Sequence, residues 1–510
     1  MDLVPVEGVV FGDGLLSWKT TADSSVGNAK QGELVFVLRS ADLDKTQFGF
    51  IICCLTEDAS NPASPYRPSF LASHTLPDQL PQDLIVSSLP AHFSTVPVDV
   101  IVSVNSGTKL ALPFWETVLQ PLLSLSREIL RAPTSTHETA GALIDVGEPH
   151  VVVTQSVHSV RQYAEALAAP ENRVDDSTKE ASLGPRTILL LSGDGGVVDL
   201  LNGRDEGADK PSRTGGPPPI IALMPLGTGN ALFHSLHKPI AATATDVSPL
   251  VLALRTLFLG LPAKLPTFRA TFSPGSRITS FVNASEDGVQ QPKKNETPVD
   301  HLQGAIVASY GFHASVVYES DTPEYRVHGA KRFGMVAQDL LRESHPYRAH
   351  VDIRRNPSAS SKTTDSAAAE AEISQLERLP RESHGYVLAT LVSNLEQTFC
   401  ISPASQPLDG QLRLVHFAPI GGERIMAAMM AAYDGGKHIG MKWDEDGEEV
   451  GYEQVEEVRV TVLEEEERWR KVCVDGTIVE IPRGGYMSVT RGVESDSGFQ
   501  VLVDPRVVGA

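Results

Sequence analysis

Cysteine, basic charge and long apolar runs are all scarce in this chain, and each shortage removes a class of function. The four cysteines, Cys53, Cys54, Cys400 and Cys473, have neither zinc-ligand nor Cys-x-x-Cys spacing. That excludes a disulfide framework and a structural zinc site, and predicts a reduced, cytosolic setting. The formal net charge of −21 leaves no basic surplus to replace the counterions of nucleic acid. It also opposes broad attachment to anionic membranes. Part of that acidity sits in residues 444–457 and in Glu464-Glu465-Glu466-Glu467, which read as a solvated loop or strand edge. The longest apolar segment, 249–265, is interrupted by Arg255, Gly260, Pro262 and Lys264 and is too short to span a bilayer. Met1-Asp2-Leu3-Val4-Pro5 has no basic n-region, so no signal peptide is expected, and no lipidation pattern is present. Any membrane association is therefore expected to be peripheral, on intracellular or plasma membranes. No internal repeat is visible.

A chain of 510 residues is too long for one core and predicts two or three domains. Residues 1–95 carry strand-like runs at 8–18, 34–38 and 48–55, which predict a small β-rich region. Over 96–262 strand and helix patterns alternate: strands at 98–104 and 151–154, helices at 114–130 and 160–168, then two strand–glycine–helix units. That order predicts a doubly wound parallel sheet of nucleotide-binding type, with its site at the carboxyl ends of the strands. Over 263–510 strand candidates dominate, and helices are expected only at 327–342 and 423–433. This predicts an antiparallel β-rich second domain, with the ligand site in the cleft between the two. Residues 204–219, 273–297 and 357–379 are rich in Ser, Gly, Pro, Ala and charge, and are expected to be mobile loops, with a disordered insertion near 356–380.

The most informative segments are Ser192-Gly193-Asp194-Gly195-Gly196 and Gly227-Thr228-Gly229-Asn230. Each follows a nearly continuous apolar run, 187–191 or 220–224, and precedes a helical pattern. Glycine lets the backbone come close to a ligand, and a helix start offers unpaired N–H groups, so both turns suit phosphate. Asp194 is out of place among anion-binding amides unless it has another task, such as general base or Mg²⁺ neighbour. Its ordinary alternative is a helix cap, and Asn230 has the same two readings.

With these motifs the chain resembles the diacylglycerol kinase/sphingosine kinase family, most closely its sphingosine-kinase branch. Three further blocks carry the resemblance: Leu201-Asn202-Gly203, the segment from Gly311-Phe312 through Tyr325-Arg326 to Gly329-Ala330-Lys331-Arg332-Phe333, and Val474-Asp475-Gly476. The resemblance implies a lipid kinase that uses ATP and Mg²⁺ to phosphorylate a primary hydroxyl of a sphingoid base, diacylglycerol or ceramide. It implies Asp194 as the catalytic base. It also implies nucleotide contacts from Asn105, Ser106, Thr154, Ser192, Gly193, Gly195, Gly227, Thr228, Gly229, Arg326, Arg332, Asp475 and Gly476. Ser315, Phe333 and Val336 fall on its substrate-binding segment, although the spacing of Phe333, Met335, Val336, Leu340 and Leu341 equally fits core packing. No metal ligand is assigned. The chain departs from the family in three places: the loop after Asn105 is shortened and lacks the usual proline, Ser315 stands where sphingosine kinases have an aspartate, and Thr477 replaces a glutamate. Those departures keep a second reading open, a catalytically weak lipid- or nucleotide-binding regulator of the same fold. A NAD kinase is disfavoured because its downstream Asn-Glu/Asp signature is missing.

Overall fold

The computed structural model describes residues 3–40, 47–62, 65–107, 109–130, 147–168, 186–206, 218–243, 246–286, 289–355, 376–492 and 498–509. Two compact units form. One comprises Met1–Thr228, Leu236–Lys264 and Gly498–Ala510, and the other Gly229–Ser235 and Leu265–Ser497.

The first unit holds two sheets. The N-terminal sheet has seven strands in the order Val26–Lys30, Leu15–Thr20, Val4–Gly12, Tyr66–Ser73, Phe50–Glu57, Leu34–Arg39 and Ile85–Val86. Its first hairpin closes through Asp13-Gly14, both at positive φ (51° and 73°), the two-residue turn that matches strand twist. Leu16, Leu34, Val37 and Ile52 are fully buried at its centre.

The second sheet of this unit has six strands in the order Leu261–Lys264, Gln500–Val503, Ile220–Pro225, Thr187–Ser192, Val98–Val102 and His150–Val153. All pairings are parallel except that of the Leu261–Lys264 edge. Ile188, Leu189 and Leu191 are fully buried, as a central strand of a covered parallel sheet requires. The Gln500–Val503 strand was not anticipated from the sequence. Helical structure over Ala111–Leu130 starts earlier than expected and contains a π-helical turn at Trp115–Leu119.

The second unit is built on a fourteen-stranded antiparallel sheet. Strands Phe268–Phe272 and Lys471–Val474 fall where the alternation predicted them. Residues 273–297, expected as a loop, instead hold most of a hairpin, Arg277–Glu286 paired with Val289–Pro298. Polar or charged residues at thirteen of the twenty strand positions weaken the period-two signal, while the two strands pair along ten positions. A helix at Phe312–Ser320 was also missed, because its Val316, Val317 and Tyr318 have strand propensity. The helix expected over 327–342 is shorter, Arg332–Glu343, preceded by single turns at Pro323–Arg326 and Gly329–Lys331. The other expected helix is present as Gly422–Tyr433. Residues 207–217 and 356–375, the bulk of the other two expected loops, lie outside the described residues.

Candidate active site

Chain order and strand order together single out one place on the parallel sheet. From Val98–Val102 the chain goes outward to His150–Val153, then returns to the opposite side of Val98–Val102 to make Thr187–Ser192 and Ile220–Pro225. The connections after Val98–Val102 and Thr187–Ser192 thus diverge, leaving a crevice at the carboxyl ends of these two strands, where open α/β sheets bind ligands.

Three turns meet there. The Gly193 amide donates to Ser106 Oγ at 3.0 Å, joining the turn after Val98–Val102 to the turn after Thr187–Ser192. A Cβ on Gly193 would lie 2.8 Å from the Gly227 Cα, and one on Gly107 would lie 2.5 Å from the Leu226 carbonyl. Gly107 also has φ of +49°, so no other residue fits there without strain. The shortened loop after Asn105 thus packs against the second glycine turn through Gly107. The Leu226 amide donates to the Ser192 carbonyl at 3.2 Å, which fixes the second glycine turn against the first.

Asp194 is half-buried at the first position of the Asp194–Glu206 helix, and it is the one carboxylate in these three turns. Gly195 is exposed, and a Cβ built on it meets nothing within 4 Å, so this position of the turn borders open space. Asn105 is exposed and Ser106 half-buried. Thr154 is buried and its Oγ1 accepts from the Val104 amide at 3.2 Å, so its hydroxyl ties the ends of two strands together. Ser192 closes its strand, and a Cβ on Gly196 would come within 2.8 Å of its Oγ. Thr228 is exposed, between half-buried Gly227 and Gly229. Asn230 is buried with φ of +52° immediately before the Ala231–Ala241 helix.

The remaining candidates belong to the second unit. Asp475 and Gly476, at φ of +46° and +88°, form the two-residue turn between Lys471–Val474 and Thr477–Glu480. The Asp475 carboxylate is buried and accepts from three consecutive backbone amides, Ala305 (2.6 Å), Ile306 (3.1 Å) and Val307 (2.5 Å). Arg326 is engaged as well: Nε and Nη2 donate to Asp321 at 3.0 and 2.7 Å, and Nη1 to the Phe281 carbonyl at 2.9 Å. Arg332 differs. Its guanidinium lies 4.8 Å from the Phe333 ring centroid, and among the described residues its buried Nε has no hydrogen-bond partner. Val336 is fully buried, Phe333 half-buried and Ser315 buried. His313 lies on the same helix as Ser315, with Nδ1 2.7 Å from Ser309 Oγ, and burial pushes it down to about 4.

Among the described residues one acidic group elsewhere in this unit has metal-like proximity, Glu296, Glu467 and Glu480. Lys294 Nζ lies 2.8, 2.5 and 3.2 Å from the three, Lys471 Nζ 2.9 Å from Glu480 and Arg277 Nη1 3.0 Å from Glu296, so cations of the chain already neutralise the cluster.

The two strand–glycine–helix turns of the first unit lie inside one recognisable segment. Residues 100–256 match the diacylglycerol kinase catalytic domain. This supports a phosphotransferase domain of the lipid-kinase class. Among solved structures, the chain resembles a diacylglycerol kinase from Bacillus anthracis str. Sterne, at 12% identity and a TM-score of 0.41 over 81% of this chain and 98% of that one. A second chain from the same strain, provisionally named a diacylglycerol kinase, matches at 13% identity and a TM-score of 0.46 over the same shares. Yeast NADH kinase complexed with NADH matches at 10% identity and a TM-score of 0.30 over 80% and 84%. At these scores the structural likenesses carry no argument for the reaction. No curated protein matches the chain in sequence.

The kinase-type domain gives a packing reason for the Leu201-Asn202-Gly203 block. A Cβ on Gly203 would lie 2.5 Å from the Arg161 carbonyl and 2.8 Å from the Ala164 Cβ, so glycine lets the Asp194–Glu206 helix approach the Ser159–Ala168 helix. Asp199, on the same helix, is pushed up to about 6 by burial, against the opposing charge of Arg161. Gly203→Ala is expected to force these helices apart and cost about 1–3 kcal/mol, the usual range for overpacking. Urea denaturation of the variant beside the parent measures it, and unchanged stability would mean the helices have room to spare.

Proposed function

We propose that the chain is an ATP- and Mg²⁺-dependent kinase that phosphorylates a primary hydroxyl of a lipid, acting in the cytoplasm and at membrane surfaces. The observation that carries this reading is the meeting of three glycine-containing turns around one carboxylate at the crevice of the parallel sheet. No helix among the described residues is long and apolar enough to cross a membrane, which is compatible with a peripheral enzyme.

In this reading the Gly195 amide and the Gly227-Thr228-Gly229 turn bind the nucleotide phosphates, with Gly193, its amide held by Ser106, letting the backbone come close, and Asn105 and Ser106 beside them. Asp194 accepts the proton of the lipid hydroxyl as the γ-phosphoryl group is transferred. A single carboxylate next to a phosphate cradle suits Mg²⁺, which typically keeps one or two protein carboxylates plus phosphate oxygens. Asp194 is the residue that would help hold it, and the ion would neutralise phosphate charge.

Arg332 is proposed as a phosphate contact. Arg326 has spent its fork on Asp321 and a carbonyl, whereas Arg332 has not. Arg332→Ala is expected to raise the ATP KM about tenfold or more, the value of one charged hydrogen bond, with the lipid KM little changed. A variant whose lipid KM alone rises would assign Arg332 to the lipid.

Among lipids, neutral head groups are favoured. Ser315 offers no charge, and the two nearest acids on the same segment are already paired, Glu319 with Arg468 at 2.7 Å and Asp321 with Arg326 at 2.7 Å. Of the acids on this segment, only the exposed Glu324 is left unpaired among the described residues, and water screens a charge so exposed from a sphingoid ammonium. With γ-labelled ATP and mixed micelles holding equal diacylglycerol and sphingosine, label is expected mainly in the diacylglycerol product. Strong preference for sphingosine would overturn this assignment and favour the sphingosine-kinase branch.

A further inference from the structure

A cavity of about 480 Å³ lies within the first unit, among the turns of the N-terminal sheet, the Pro249–Leu259 helix and the Asp504-Pro505-Arg506 turn; no residue of the three glycine-containing turns lines it. Its volume is in the range of small-molecule sites. Arg255 reaches it from the helix. The guanidinium donates through Nε to the carbonyls of Leu34 (3.1 Å) and Val35 (3.3 Å), and through Nη2 to those of Gln31 (3.1 Å) and Leu34 (2.5 Å). Its third nitrogen, Nη1, makes no hydrogen bond among the described residues.

Charge around Arg255 is unevenly compensated. Asp504 is closed on Arg506 by a two-pronged pair of 2.8 and 2.7 Å and also caps the Arg506 amide at 2.9 Å, leaving Arg255 without a bonded carboxylate. The other acids lining the cavity, Asp83 and Asp246, are exposed, where water screens them. Burial pulls the guanidinium down to about 10, against the opposing fields of Asp83 and Asp504. Its four bonds go to neutral carbonyls, so its charge is held in place and not cancelled. Val247, Leu84 and Leu259 add apolar wall.

We propose that this cavity binds a small amphipathic anion, a carboxylate or phosphate monoester with a short apolar tail, whose head group pairs with the free edge of Arg255. The geometry asks for both parts: the free Nη1 of the guanidinium for the head group and the aliphatic wall for the tail.

Isothermal titration of the full chain with hexyl phosphate, hexanoate, inorganic phosphate and hexylamine tests this. Hexyl phosphate and hexanoate are expected to bind in one-to-one ratio, inorganic phosphate at least about tenfold more weakly, and hexylamine not at all. Arg255→Gln and the cavity-filling Val247→Trp should each weaken hexyl phosphate by at least about tenfold, as for a lost charged hydrogen bond or a filled pocket. Val247→Trp keeps the Arg255 anchors, so it decides the question if Arg255→Gln fails to fold. Absence of heat with both amphipathic anions would overturn the proposal. So would inorganic phosphate binding as tightly as hexyl phosphate, which removes the apolar part. Binding that survives Val247→Trp would place the anion elsewhere, for example at the glycine turns. Tighter binding of hexylamine than of hexanoate would mean that Asp83 and Asp246 set the sign of the site.

Discussion

Asp194→Asn is expected to lower turnover by at least about a hundredfold, or roughly 2.7 kcal/mol of transition-state stabilisation, while the protein melts close to the parent temperature. The argument combines position and isosterism. Asp194 opens the Asp194–Glu206 helix, half-buried, between Gly193, whose amide is tied to Ser106, and Gly195, whose Cβ direction is open. Asparagine keeps the shape and can still cap the first turn, but it cannot take a proton from a hydroxyl. The effect should therefore fall on kcat and leave the ATP KM within a few-fold. A helix cap without a chemical role predicts both stability and turnover intact, because asparagine caps as well as aspartate.

Asp475→Ala is expected to destabilise the fold by about 3–6 kcal/mol, because three buried amide donors would lose their acceptor at about 1–3 kcal/mol each, less what relaxation returns. Ala305, Ile306 and Val307 are all buried, so water cannot substitute. A loss of that size is a large fraction of the stability of a typical domain. Asp475→Asn keeps one acceptor oxygen and should cost less. Guanidinium denaturation followed by far-ultraviolet circular dichroism reads this directly. If both variants instead unfold like the parent and need more ATP, the carboxylate faces nucleotide and its three amide bonds are incidental.

Signals that depend on neighbours in the chain were legible in the sequence. A buried apolar run ending in glycine and followed by a helix identifies a parallel strand and its turn wherever it occurs, and both such turns were found, Asp194 included. Their mutual contact was not legible, because Gly107, Gly193 and Gly227 come together only through sheet order. For the same reason the role of Asp475 was read through the family alone: its acceptor role spans 168 to 170 residues of sequence. The Gln500–Val503 strand completes the parallel sheet from the far end of the chain, a pairing that no local window contains. The Arg277–Pro298 hairpin reads as a loop in sequence because most of its residues are polar or charged, and its pairing becomes visible only in the structure.

The most direct test is to incubate the full chain with ATP, Mg²⁺ and mixed micelles of diacylglycerol, ceramide and sphingosine, and to identify by mass spectrometry which lipid gains a phosphoryl group in step with ADP release. The account predicts a phosphorylated lipid, most abundantly from diacylglycerol or ceramide, formed in proportion to ADP and lost with Asp194→Asn. ADP release without any phosphorylated lipid, or lipid phosphorylation that Asp194→Asn leaves untouched, would contradict it.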